Sequence, residues 1–191
     1  MKREPMDFET TKFFKRLKPN VQEEFYKVLD SYGTDVLEFI SNAESPVEEL
    51  FGMWLHRLAD EFRYSTLRPR DPEDFFEIDS QSEVDVNGKK YRVDFTLDYV
   101  TFLFGQPFDY YTVFVEIDGH EFHEKTKEQV RHDKERERAI APYANEILRY
   151  SGSEIYDDPW GYANEAMQHL VAGAREINKR RIPLIKSGRN T

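Results

Sequence analysis

The 191-residue chain is 39% hydrophobic and 15% aromatic, which suits a folded domain with a real core and excludes a disordered segment. It has no cysteine, so disulfides, thiolate metal sites and a cysteine nucleophile are excluded, and a reducing cytoplasm is the expected setting. Its net charge of −10 argues against a coat on nucleic acid held by bulk electrostatics, and no apolar stretch has the length of a signal peptide or a membrane span.

Residues 1–43 are expected to form a helical extension. Val21, Phe25, Val28, Leu29 and Tyr32 recur at helical spacing and stop at Gly33, and Thr34 can cap a further short helix carrying Val36, Leu37 and Ile40. No chemistry is legible there. A plainer helix follows, opened by Ser45 as N-cap, Pro46 in the first turn and Glu48 at capping-box spacing. Its apolar stripe is Val47, Leu50, Phe51, Trp54, Leu55, Leu58 and Phe62. At 100° per residue, Glu48 falls on the shoulder of that stripe and can look inward, whereas Glu49 points away.

The pattern then changes to period two. Residues 75–86 read as a strand, Asn87-Gly88 as a hairpin turn, and "KKYRVDFTLDYVTF" as the return strand. Alternation puts Tyr91, Val93, Phe95 and Leu97 on one side, and Arg92, Asp94, Thr96 and Asp98 on the other. A turn near "GQPFD" leads into a third strand, where Val113, Val115 and Ile117 oppose Phe114, Glu116 and Asp118. If the two strands pair, Asp94 and Glu116 share a face. A charged helix at about residues 124–143, a short strand in "NEILRYSG" and a final helix entered through Asp158-Pro159 complete the chain. Phe75, Phe76, Phe95 and Trp54 are expected in the core. Residues 174–191 are expected to be a basic tail, with Arg175, Lys179, Arg180, Arg181, Lys186 and Arg189 against Glu176 alone.

An acid on a helix, one on a strand and one at the end of the next strand form an oxygen-rich set. Hard divalent cations such as Mg²⁺ take such ligands and keep several waters besides. A metal held so can acidify a water and neutralise charge on a phosphate oxygen, which suits phosphodiester hydrolysis. The plain alternative is a solvated sheet face, on which alternating acids are ordinary. The pair His120 and His123, without cysteine or another histidine nearby, does not make a structural zinc site.

The stretches "SPVEELF", "YRVDF", "VEIDGHEFHEKTKEQVRHDKERER" and "ILRYSGSEI", in this order, resemble the PD-(D/E)XK nuclease superfamily. Within it they are similar to small bacterial and phage endonuclease-like domains related to very-short-patch repair endonucleases. The resemblance covers roughly residues 45–170. It implies a restriction-endonuclease-like α/β fold: a three-layer α/β/α core in the order α-β-β-β-α-β with a mixed sheet, at 44–173 between the extension and the tail. It also implies a Mg²⁺- or Mn²⁺-dependent endonuclease acting on DNA, or on RNA. No membrane partner is expected, and a homodimer would serve a double-strand cut.

By the same resemblance Glu48 is the helix acid near the metal, Asp94 and Glu116 are metal ligands, and the Ile117 carbonyl is a further ligand. Val93 stands where the superfamily name has proline. Two residues after Glu116 the pattern wants lysine, and this chain has Asp118. The lysine's role therefore moves or is lost. His123, Lys127 and Gln129 are the candidates for it, with His123 and Gln129 favoured by the related E-x-D-G domains. A histidine titrates near neutrality and can act as general base or acid. Gln129, Asp133 and Arg136 share one polar helix face. His120, Arg136 and Arg149 are candidates to contact nucleic acid. Two other classes stay open: a non-catalytic relative that binds nucleic acid or protein, and a partner protein that docks through its helical N-terminus.

Overall fold

Asn87 and Gly88 both take left-handed backbone, with φ of 55° and 84°, as a two-residue hairpin turn requires. They join β1 (Phe75–Val86) to β2 (Lys89–Leu103) in an antiparallel pair. A second turn of the same kind, at Phe104 and Gly105, joins β2 to β3 (Gln106–Asp118). These strands belong to a computed structural model that describes residues 14–32, 43–65, 74–118 and 127–188. The chain after β3 returns through α3 (Lys127–Ile140) to β4 (Glu146–Ser151), which pairs with β3 in parallel. A helix between two parallel strands is the expected crossover. The result is an α/β fold with a four-stranded mixed sheet in the order β1-β2-β3-β4.

The remaining helices are α1 (Pro19–Tyr32), α2 (Pro46–Ser65), the short α4 (Gly152–Asp157) and the long α5 (Pro159–Gly188). Val113 and Val115 of β3 join Phe95, Leu97 and Tyr99 of β2 in the main core, together with Leu50, Phe51 and Trp54 of α2 and Met167 and Leu170 of α5. Val21, Phe25 and Val28 of α1 complete it from outside. Phe114, between the two valines, belongs instead to a smaller cluster with Val93 and Ile140 at the end of α3. So α2 and α5 lie against one face of the sheet and α3 serves the other. The approach of α5 is close: a Cβ on Gly173 would lie 2.3 Å from ring atoms of Tyr111, so only glycine fits. Among the described residues, no helix is long and apolar enough to cross a membrane.

Four expectations need correction. Tyr91 and Val93 do not share a side with Phe95 and Leu97, because they pack in the smaller cluster. The break falls at Gln81 and Asp94, the pair missing between Ser80↔Phe95 and Ser82↔Val93, where Gln81 takes a φ of 56°. Glu49 is buried like Glu48, since α2 is covered by the sheet, α5 and α1 together. Phe75 is exposed, on the outward side of edge strand β1, while Phe76, Phe95 and Trp54 are buried. Residues 174–188 continue α5 rather than forming a separate tail.

The last of these has an energetic cause. Arg181 is wholly buried and donates to both oxygens of Asp74 at 2.5 and 2.6 Å, to the Phe102 carbonyl and to Asn178 Oδ1. Tyr99 Oη donates to the same carboxylate at 3.1 Å and accepts from Asn178 Nδ2. This network fastens the end of α5 to the start of β1 and the end of β2. A buried pair held by this many hydrogen bonds helps to specify where its partners sit. The extension's second short helix, at Thr34 to Ile40, lies outside the described residues.

Candidate functional site

Ser45 caps α2 as its sequence demands, accepting from the Glu48 N–H at 3.2 Å. The Glu48 carboxylate answers by accepting from Ser45 Oγ and from the Glu44 N–H, each at 2.8 Å. It also accepts from Gln81 Nε2 at 2.7 Å. That third bond crosses from α2 to β1, at a residue whose backbone is left-handed. A non-glycine residue at positive φ costs energy and persists only where its surroundings demand it. The amide oxygen of Gln81 is buried and accepts no hydrogen bond.

The register of β2 and β3 runs to Phe95↔Val115, so one further step brings Asp94 opposite Glu116. Asp94 Oδ2 accepts from the Ile117 N–H at 2.7 Å. Burial pushes the Asp94 carboxyl up to about 6, although the Ile117 N–H favours its charged form. The Glu116 charge adds to the rise, and Arg136 and Arg92 temper it. Burial raises Glu48 as well, against its bonds to Glu44 and Ser45, with the Asp94 charge adding to the effect. Three acids from α2, β2 and β3 therefore crowd one corner of the sheet.

Two arginines answer the acids of β3. Arg136, from α3, grips Glu116 through both oxygens at 2.7 and 2.9 Å and also donates to the Arg92 carbonyl. Arg92 is in turn paired with Glu44. Arg149 stands beside Glu116 in the β3–β4 register and reaches both oxygens of Asp118, at 2.7 and 3.2 Å. Its other nitrogen contacts Glu137 of α3 at 3.5 Å.

The structure thus brings together Glu48, Asp94, Glu116, Asp118, Arg136 and Arg149 around the middle of β2 and the end of β3. Ile117 lies among them, its N–H on Asp94. Lys127 and Gln129 begin α3 and are exposed. His120 and His123 lie outside the described residues. Gln81 was not singled out from sequence, since nothing in "DSQSEV" announces a left-handed residue in mid-strand. Among the described residues, no three His, Asp or Glu side chains stand assembled as a metal site. The donor chemistry nevertheless fits a hard cation: carboxylates held in their raised, crowded state, and a buried amide oxygen of Gln81 without a donor. What stands in the way is Arg136, which fills both oxygens of Glu116. Compared with protein-family models, curated proteins and solved structures, the chain matches none.

Proposed function

We propose that the chain is a divalent-metal-dependent endonuclease of the cytoplasm acting on DNA, built on the restriction-endonuclease-like α/β/α layout. The observation that carries the reading is Asp94. A largely buried carboxylate raised to about 6, set against a second acid on the neighbouring strand and a third on α2, is the charge arrangement that a divalent ion relieves. The α-β-β-β-α-β order and the parallel β3–β4 pair support the same reading.

In it Asp94, Glu116 and Glu48 would hold Mg²⁺ or Mn²⁺ with the Ile117 carbonyl. The metal, when bound, supplies a Lewis acid for a phosphate oxygen and an acidified water. Gln81 fixes the Glu48 carboxylate by its amide. The Ile117 N–H keeps one oxygen of Asp94 engaged, which orients the other. His123, as general base or acid, or Lys127, by its charge, would assist, since Asp118 carries no cation and is itself bound by Arg149.

Supercoiled plasmid and a panel of branched and single-stranded oligonucleotides, incubated with Mg²⁺, Mn²⁺ or EDTA, test this. Nicking or cleavage is expected with metal and at background level in EDTA and in Glu116→Ala. Absence of metal binding and of cutting on every substrate, DNA or RNA, sinks the proposal. One observation favours a second reading, a non-catalytic relative that binds nucleic acid or protein: each acid of β3 is already neutralised by an arginine. Metal-independent binding of DNA that survives Glu116→Ala would select it.

A further inference from the structure

Glu116 is 7% exposed, and its two oxygens are both occupied by one guanidinium. A metal ligated by this carboxylate and Arg136 in its two-point grip compete for the same lone pairs. Arg136 cannot yield by losing a proton, since a guanidinium stays charged at any accessible pH. It can yield only by moving. Its side chain is 30% exposed, so it has a way out toward solvent, and its remaining anchor is the Arg92 carbonyl. A planar guanidinium held there presents the fork of donors that matches a phosphate. Arg149 differs, because Asp118 and Glu137 both hold it.

We propose that Arg136 is an exchange group: it caps Glu116 in the metal-free protein, gives way to the divalent ion, and then binds a phosphate of the nucleic-acid backbone. The inference rests on the metal-dependent reading of the site. It makes metal and phosphate binding mutually reinforcing, because each is coupled to the same displacement of one side chain. Metal alone leaves Arg136 without an anion. Phosphate alone must draw Arg136 from Glu116 and leave a buried charge behind.

The test measures Mn²⁺ binding by calorimetry and by the electron spin resonance of the free ion. It compares the wild type with Arg136→Gln and with Arg180→Gln, a charge control at an exposed pair with Asp109. Arg136→Gln is expected to bind Mn²⁺ about tenfold more tightly, the scale of one charge-assisted hydrogen bond removed from competition. In Mn²⁺ it should hold a short phosphorothioate oligonucleotide more weakly, and Arg180→Gln should change neither. In the wild type, phenylglyoxal should modify Arg136 slowly without metal, faster with Mn²⁺, and slowly again when the oligonucleotide is added, as read by mass spectrometry. Mn²⁺ binding that is equal in wild type and Arg136→Gln, with Arg136 reactivity unmoved by metal, overturns the exchange and leaves the metal site standing. No Mn²⁺ binding to any of the three proteins overturns the metal reading itself. If Arg136→Gln does not fold, the wild-type modification pattern decides.

Discussion

Asp94 carries a cost in the folded protein that has a definite pH signature. Its folded value, about 6, lies above the ordinary aspartate value, so the native state holds the proton more tightly than the unfolded chain does. Stability is therefore lost as pH rises through the window from about 4 to about 6, and the loss is complete above it. Asparagine keeps the acceptor for the Ile117 N–H without the charge. Asp94→Asn is expected to be more stable than wild type near pH 8 by about 2–3 kcal/mol, with the difference closing toward pH 4. Urea unfolding at the two pH values measures this, and a constant difference would refute it. Added Mn²⁺ should stabilise the wild type and leave the variant unchanged.

At the scale of elements, the end of α5 is the part whose importance is greatest relative to its appearance in the sequence. Arg181 lies in a basic run that reads as solvated, yet it is buried on Asp74 and the Phe102 carbonyl. Removing one partner leaves the other charge in the core. Arg181→Met is expected to destabilise the fold by about 3–5 kcal/mol, and the double replacement Asp74→Leu/Arg181→Met by much less. Equal losses for the single and double variants would show that the pair does not act as a unit. Local chemistry explains what was legible beforehand. Asn87-Gly88 needs only its own backbone to turn, Ser45 and Glu48 need only α2 to cap it, and the two-residue alternation of β3 shows in its composition. Gln81 and Glu49 were hidden because their states are imposed by partners far away in the chain: Glu48 for one, the helices around α2 for the other. The pairing of Arg136 with Glu116 was half legible, since the polar face of α3 was apparent but its target across 20 residues was not.

The whole molecule poses an electrostatic question that the site must answer. A net charge of −10 repels a polyanion, and the repulsion reaches further as salt is diluted. A basic DNA-binding protein gains affinity steeply on dilution, because it releases counterions. This chain is expected to do otherwise. In EDTA its retention of DNA in a filter or gel assay should stay weak as salt is lowered, and divalent cation should restore it. Tight binding in EDTA that strengthens with dilution would point to a basic surface doing the binding and against a metal bridge.

The parallel pairing of β3 with β4 also says when the site comes into being. Glu48, Asp94, Glu116 and Asp118 all precede the crossover, and Arg136 and Arg149 arrive with it. While the chain is being made, the four acids leave the ribosome before either arginine does. Until α3 and β4 emerge, Arg92 tempers the crowding at Asp94, but Glu116 and Asp118 lack the guanidiniums that pair with them in the finished fold. The site is thus the last part of the sheet to be completed, and its assembly waits on residues synthesised after every acid it contains.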